Sequence, residues 1–81
     1  MDNTVLEPNE ISEEEARRML LSIKEDLEER GYDSIKQIAG YLISGDPGFI
    51  SNYKNCRTRM VKIDRTSLIE ELLDYYLSWS I

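Results

Sequence analysis

Residues 31 to 50, Gly-Tyr-Asp-Ser-Ile-Lys-Gln-Ile-Ala-Gly-Tyr-Leu-Ile-Ser-Gly-Asp-Pro-Gly-Phe-Ile, constrain the fold more than any other stretch. They hold all four glycines and one of the two prolines, with apolar residues at helical spacing between them. Gly31 and Gly45 sit where a helix ends in a left-handed residue. Asp46-Pro47 has the form of a helix start, aspartate as cap and proline at the first helical position. Between these punctuation marks Ile35, Ile38, Ala39, Leu42 and Ile43 form a wide apolar stripe, predicting a helix over 35–44 at the centre of the fold. Gly40, about 1 kcal/mol worse than alanine inside a helix, points to close approach by another helix.

The flanks read as helices too. Ser12-Glu13-Glu14-Glu15 is a capping box, and Ala16, Met19, Leu20, Ile23 and Leu27 recur at three- and four-residue steps, predicting an amphipathic helix to about Arg30. Ser34-Ile35-Lys36-Gln37 repeats the box spacing for the second helix. A short helix follows over 47–52 and another over about 55–63, with Cys56, Met60 and Ile63 inward. Thr66 caps a last helix carrying Leu68, Ile69, Leu72, Leu73, Tyr76 and Leu77. The expected fold is all-α, a compact bundle of about five helices: a flexible N-terminal arm over 1–11 and one helical domain over 12–81.

An 81-residue chain buries a thin core, and thin cores are commonly reinforced by disulfides, metals or oligomerisation. With one cysteine and no histidine, oligomerisation is the expected support. The broad stripe of the last helix, with Tyr75 and Trp79 beside it, reads as a partner surface. No apolar run approaches the roughly 18 residues of a membrane span, and the N-terminal residues lack a signal stretch, so a cytoplasmic protein is expected.

The net charge of −6 argues against a chain devoted to phosphate backbone. The charge is segregated: residues 1–33 carry −7, residues 54–65 carry +4 through Lys54, Arg57, Arg59, Lys62 and Arg65, and residues 66–81 carry −3. Blocks of opposite sign are expected to pair within the chain or between subunits. Candidate chemistry is sparse. The paired acids at 13–15 and 70–71 read as caps and solvated faces, and no oxygen cluster has cation-loop spacing. Cys56 reads as a small core residue despite basic neighbours. Ser44 to Gly48 lacks the Gly-Lys-Ser/Thr of a phosphate loop and reads as a tight interhelical turn. Because two helices meet at that turn just before a basic stretch, a small nucleic-acid-binding regulator is the rival reading. Thr4 in the acidic arm is open to a kinase, and an added phosphate would be drawn to the basic stretch.

The segment Gly31-Tyr32, Ile35, Gln37-Ile38, Gly40-Tyr41-Leu42, Ser44-Gly45-Asp46-Pro47 and Ile50 resembles the Gly-Tyr-Asn-Pro-Ile-x-Gln-Ile-x-Gly-Tyr-Leu-x-Ser-Gly-Asp-Pro-x-Tyr-Ile core of the bacterial IreB family. The similarity continues through Lys54-Asn55, Arg57, Lys62, Arg65, residues 68–72 and Tyr76-Leu77. Departures include Asp33-Ser34 for Asn-Pro, Phe49 for tyrosine and Cys56 for alanine, and the arm lacks the family's Thr-x-x-Phe opening. The resemblance implies an all-helical homodimer without catalytic activity or cofactor. It implies a regulatory substrate of a membrane-bound Ser/Thr kinase of the PASTA type, linked to cell-wall stress and cephalosporin resistance and acting on a further protein partner. Phosphorylation in such proteins falls on threonine in the N-terminal arm, and the arm here offers Thr4 alone.

Overall fold

A computed structural model describes residues 11–79. Thr4 and the arm's first ten residues lie outside them. Four α-helices and two single 3₁₀ turns make up the described residues, in the order α1 (Glu13–Glu29), α2 (Ser34–Ser44), a turn over Pro47–Phe49, a turn over Tyr53–Asn55, α3 (Cys56–Met60) and α4 (Arg65–Leu77). The all-α expectation holds.

α1 starts as its sequence dictates. The Ser12 hydroxyl accepts from the Glu15 amide at 3.1 Å and the Glu15 carboxylate accepts from the Ser12 amide at 3.0 Å, satisfying two amides that have no partner inside the helix. Gly31, at φ +90°, turns the chain away after the last turn. Its inward stripe is the centre of the protein: Ile23 and Leu27 are completely buried, together with Ile50, Cys56, Met60, Ile63, Leu68 and Tyr41 from the later elements. Each fully buried aliphatic side chain contributes about 1.5–3 kcal/mol relative to exposure.

α2 departs from its expected place at the centre. Only Ser34 and Tyr41 of it are buried, whereas Ile35 and Ile43 are exposed, Ile43 to 84%. One apolar side of α2 packs on α1, and another faces outward. Close approach at Gly40 is real, but the neighbour is the Phe49 ring, only 2.7 Å from where a Cβ would sit, and not a second helix. The caps also shift. Asp33, not Ser34, caps α2 by accepting from the Lys36 amide at 3.1 Å. Ser34 is buried inside the first turn and donates to Glu28 at 2.7 Å, and Gln37 accepts from the Ser51 amide at 2.9 Å. Likewise Asp64, not Thr66, caps α4 by accepting from the Ser67 amide at 2.9 Å. The helix expected over 47–52 is a single 3₁₀ turn capped by Asp46, and the one over 55–63 shortens to Cys56–Met60 behind two left-handed residues, Lys54 and Asn55.

α4 is the least embedded of the four α-helices. Leu68 is its one buried residue, and from Leu72 to Trp79 every side chain is exposed.

Candidate functional site

The predicted basic surface is built largely from charges already engaged within the fold. Lys54 pairs with Glu29 at 2.9 Å, both about half exposed, and Glu29 raises the Lys54 pKa above its ordinary value. The Arg59 guanidinium pairs with Asp26 and donates to the Ser22 hydroxyl at 2.9 Å, tying α3 to α1. Arg57 donates through Nε to the Ile50 carbonyl at 2.9 Å, and Arg65 to the Leu42 carbonyl, also at 2.9 Å, where it covers Gly45 near the end of α2. The basic stretch thus pairs with the acidic first helix for Lys54 and Arg59. Lys62, in the turn after α3, is exposed. Exposed pairs of the Lys54 kind are worth at most about 1 kcal/mol, and Arg57 uses one of its five N–H groups on Ile50.

The residues of the Gly31 to Ile50 motif mostly serve the backbone. Gly45, at φ +77°, lets α2 end. Asp46 accepts from the Gly48 amide at 2.9 Å, and Pro47 opens the 3₁₀ turn. Tyr32 is exposed just beyond α1, and Tyr41 is buried in the core. Cys56 is fully buried with its thiol 3.8 Å from the Ile23 carbonyl. Burial pushes the thiol pKa up, against the opposing effect of Arg59, so the environment suits a core residue better than a nucleophile. Among the described residues there is no group of three His, Cys, Asp or Glu placed to hold a metal ion, and no helix is long and apolar enough to cross a membrane.

Sequence reasoning missed one local arrangement. Arg30 and Lys54 both stand over the Tyr53 ring, each 5.6 Å from its centroid; a lone tyrosine in a basic stretch does not announce such a pair of contacts. It anticipated apolar excess on α4 but not its geometry. α4 stands between two grooves. One, against α2, is almost wholly apolar and runs past Leu42, Ile43, Ile69, Leu73 and Tyr76. The other, against α1, has an apolar floor and a charged rim.

The groove against α2 is lined by aliphatic side chains and two tyrosines, and the groove against α1 mixes its apolar floor with carboxylates, serines and Arg17. A family model described as "IreB regulatory phosphoprotein" matches residues 2–78. The chain belongs to the IreB family. Similar relatives carry the name UPF0297 protein. One from Ruminiclostridium cellulolyticum is 46% identical over 65 residues, covering 80% of this chain and 74% of the relative. One from Acetivibrio thermocellus is 46% identical over 63 residues, covering 78% and 70%. The IreB match takes in both Thr4 and the Gly31 to Ile50 segment, so the arm belongs to the region shared with the family. A regulatory phosphoprotein acts through its surfaces, in keeping with an IreB protein whose described residues present grooves and engaged charges. The helix-turn-helix resemblance fades on the geometry: the segment after the Ser44 to Asp46 turn is one 3₁₀ turn, Pro47–Phe49, too short to lie along a major groove.

Proposed function

We propose that this IreB-family chain is a non-catalytic cytoplasmic signalling protein, a homodimer, and a substrate of a membrane-bound Ser/Thr kinase of the PASTA type in cell-wall stress and cephalosporin-resistance signalling. The observation that carries this reading is the family match over residues 2–78 as a regulatory phosphoprotein. Thr4 is the proposed phosphoacceptor. The other two threonines, Thr58 and Thr66, lie within α3 and the first turn of α4, where a kinase would have to unwind the helix to reach an extended backbone.

A phosphate on Thr4 adds about −1.5 to −2 charge at neutral pH. Lys54, Arg57 and Lys62 are its proposed docking groups, because their existing bonds are exposed or leave N–H groups over. By the same criterion Arg65 joins them, donating through one N–H to the Leu42 carbonyl in an exposed bond, whereas Arg59, held by Asp26 and Ser22, ties α3 to α1 and is set aside from docking.

The homodimer is proposed through the apolar groove between α2 and α4. A second copy fits it because the lining is nearly free of polar atoms and includes no charged side chain, so two identical grooves meet apolar surface to apolar surface. Such an isologous pairing would also thicken a core that, among the described residues, holds only eight buried hydrophobic side chains.

Incubation with the cognate kinase and ATP is expected to add one phosphate by mass spectrometry, lost in Thr4→Ala. No incorporation, or incorporation unchanged in Thr4→Ala, would sink the assignment. Leu73→Glu is expected to shift the sedimenting species from dimer to monomer with helical content unchanged, and a wild-type monomer at tens of micromolar would refute the dimer.

A further inference from the structure

The groove between α1 and α4 differs from the proposed dimer face in the way that matters for recognition. It encloses about 840 Å³ and is floored by side chains such as Ala16, Leu20, Leu21, Leu68 and Leu72. Its charged lining is Glu13, Asp64, Glu71 and Asp74 against Arg17 alone. Asp64 is committed to the Ser67 amide as a helix cap. Even so, the rim keeps three further carboxylates to one guanidinium. The walls are α1 from Ser12 to Leu21 and α4 from Asp64 to Ser78, stretches of about 14 and 21 Å at the rise of an α-helix. These are the dimensions of about three turns of a third helix laid between two others.

We infer that this groove receives a basic amphipathic helix of a different protein, its apolar stripe on the floor and its Lys or Arg side chains along the carboxylate rim. Charge selects this occupant over the alternatives. The chain's own N-terminal residues carry Asp2, Glu7 and Glu10, the same sign as the rim. A second copy offers no matching element: its basic stretch contains only the five-residue α3, with Arg59 tied to Asp26 and Arg57 to the Ile50 carbonyl. An anionic membrane surface would be repelled. A basic helix gains both apolar burial and complementary charge, and the charge term makes binding fall with salt. The inference stands whether or not Thr4 is the phosphoacceptor.

The test uses the full chain and a fluorescein-labelled 14-residue helical peptide with leucines at i, i+3, i+7 and i+10 and lysines on the flanks. A second peptide has the same leucines with glutamates on the flanks. Anisotropy is expected to show micromolar binding of the lysine peptide, weakened at least tenfold in Leu21→Glu and in Glu71→Lys with Asp74→Lys, and at least tenfold weaker binding of the glutamate peptide. Leu21 is more than half exposed and the two carboxylate positions lie outside the buried core, so these variants are expected to keep wild-type circular dichroism and thermal midpoints. Leu73→Glu, on the opposite side of α4, is expected to bind within a few-fold of wild type. Equal binding of both peptides, or loss with Leu73→Glu but not Leu21→Glu, overturns the proposal. So does loss of self-association in Leu21→Glu, which would assign the groove to a second copy.

Discussion

Gly45 shows how much one residue decides. It holds φ +77°, and a Cβ there would stand 2.9 Å from the Arg65 guanidinium that covers it. Gly45→Ala therefore carries both a left-handed backbone penalty and the displacement of the Arg65 contact with the Leu42 carbonyl. A loss of about 1–2 kcal/mol by urea denaturation is expected, against the gain an alanine would give where space and φ allow it. Two carboxylates contribute to the acid response. Donation from Ser34 and then Lys24 holds Glu28 below its ordinary pKa, and the Ser67 hydroxyl and amide do the same for Asp64. A depressed folded pKa means stability that is present above the unfolded value, about 4 to 4.5, and lost as pH falls through the lower folded value. The urea midpoint is expected to drop on acidification below about pH 4.5, and Glu28→Gln with Asp64→Asn to flatten that drop. Asparagine caps about as well as aspartate, so the double variant tests titration and not the cap.

At the scale of elements, the sequence was most legible where local chemistry is sufficient. α1 is readable because its capping box, its apolar period and Gly31 are all contained in the segment itself. α2 was readable in extent but not in cap. Asp33 and Ser34 are both good capping types, and the Ser-x-x-Gln spacing favours Ser34. Tertiary partners decide otherwise: Glu28 takes the Ser34 hydroxyl and the Ser51 amide takes Gln37, leaving the extended Asp33 as cap. Asp33→Ala is expected to cost about 1 kcal/mol and Asp33→Asn little, while Thr66→Ala stays within about 0.5 kcal/mol; chemical denaturation of the three variants checks the assignment. The helix expected over 47–52 came out short because Ile50 is extended, which residue type alone gives no reason to expect; the one over 55–63 begins only after the left-handed Asn55 and ends at Met60, with Val61 as its cap.

For the whole molecule, the apolar content of α2 and α4 was visible in the sequence, but not how much of it the fold would leave exposed. A stripe that packs in the monomer and one that waits for a partner have the same period, and only the positions of α1 and α3 separate them. Hence α2, expected at the centre, borders the core with Tyr41 and leaves Ile43 outside. The candidate docking residues were legible as charge, not as partners, since Lys54 and Arg59 meet α1 across more than twenty residues of chain. If two copies close over the α2–α4 face, the thermal midpoint is expected to rise with protein concentration, and to lose that dependence in Leu73→Glu; scanning calorimetry over a hundredfold range tests it. α4 carries one last implication. Leu72 and Tyr75 line both of its grooves, so one helix is a shared wall, held by the core only at Leu68. Any occupant that draws this wall toward α1 alters the fit on the α2 side. If a second copy takes one side and a partner helix the other, thermodynamic reciprocity makes each change affinity for the other by the same factor, and α4 would then be a lever coupling assembly state to partner choice.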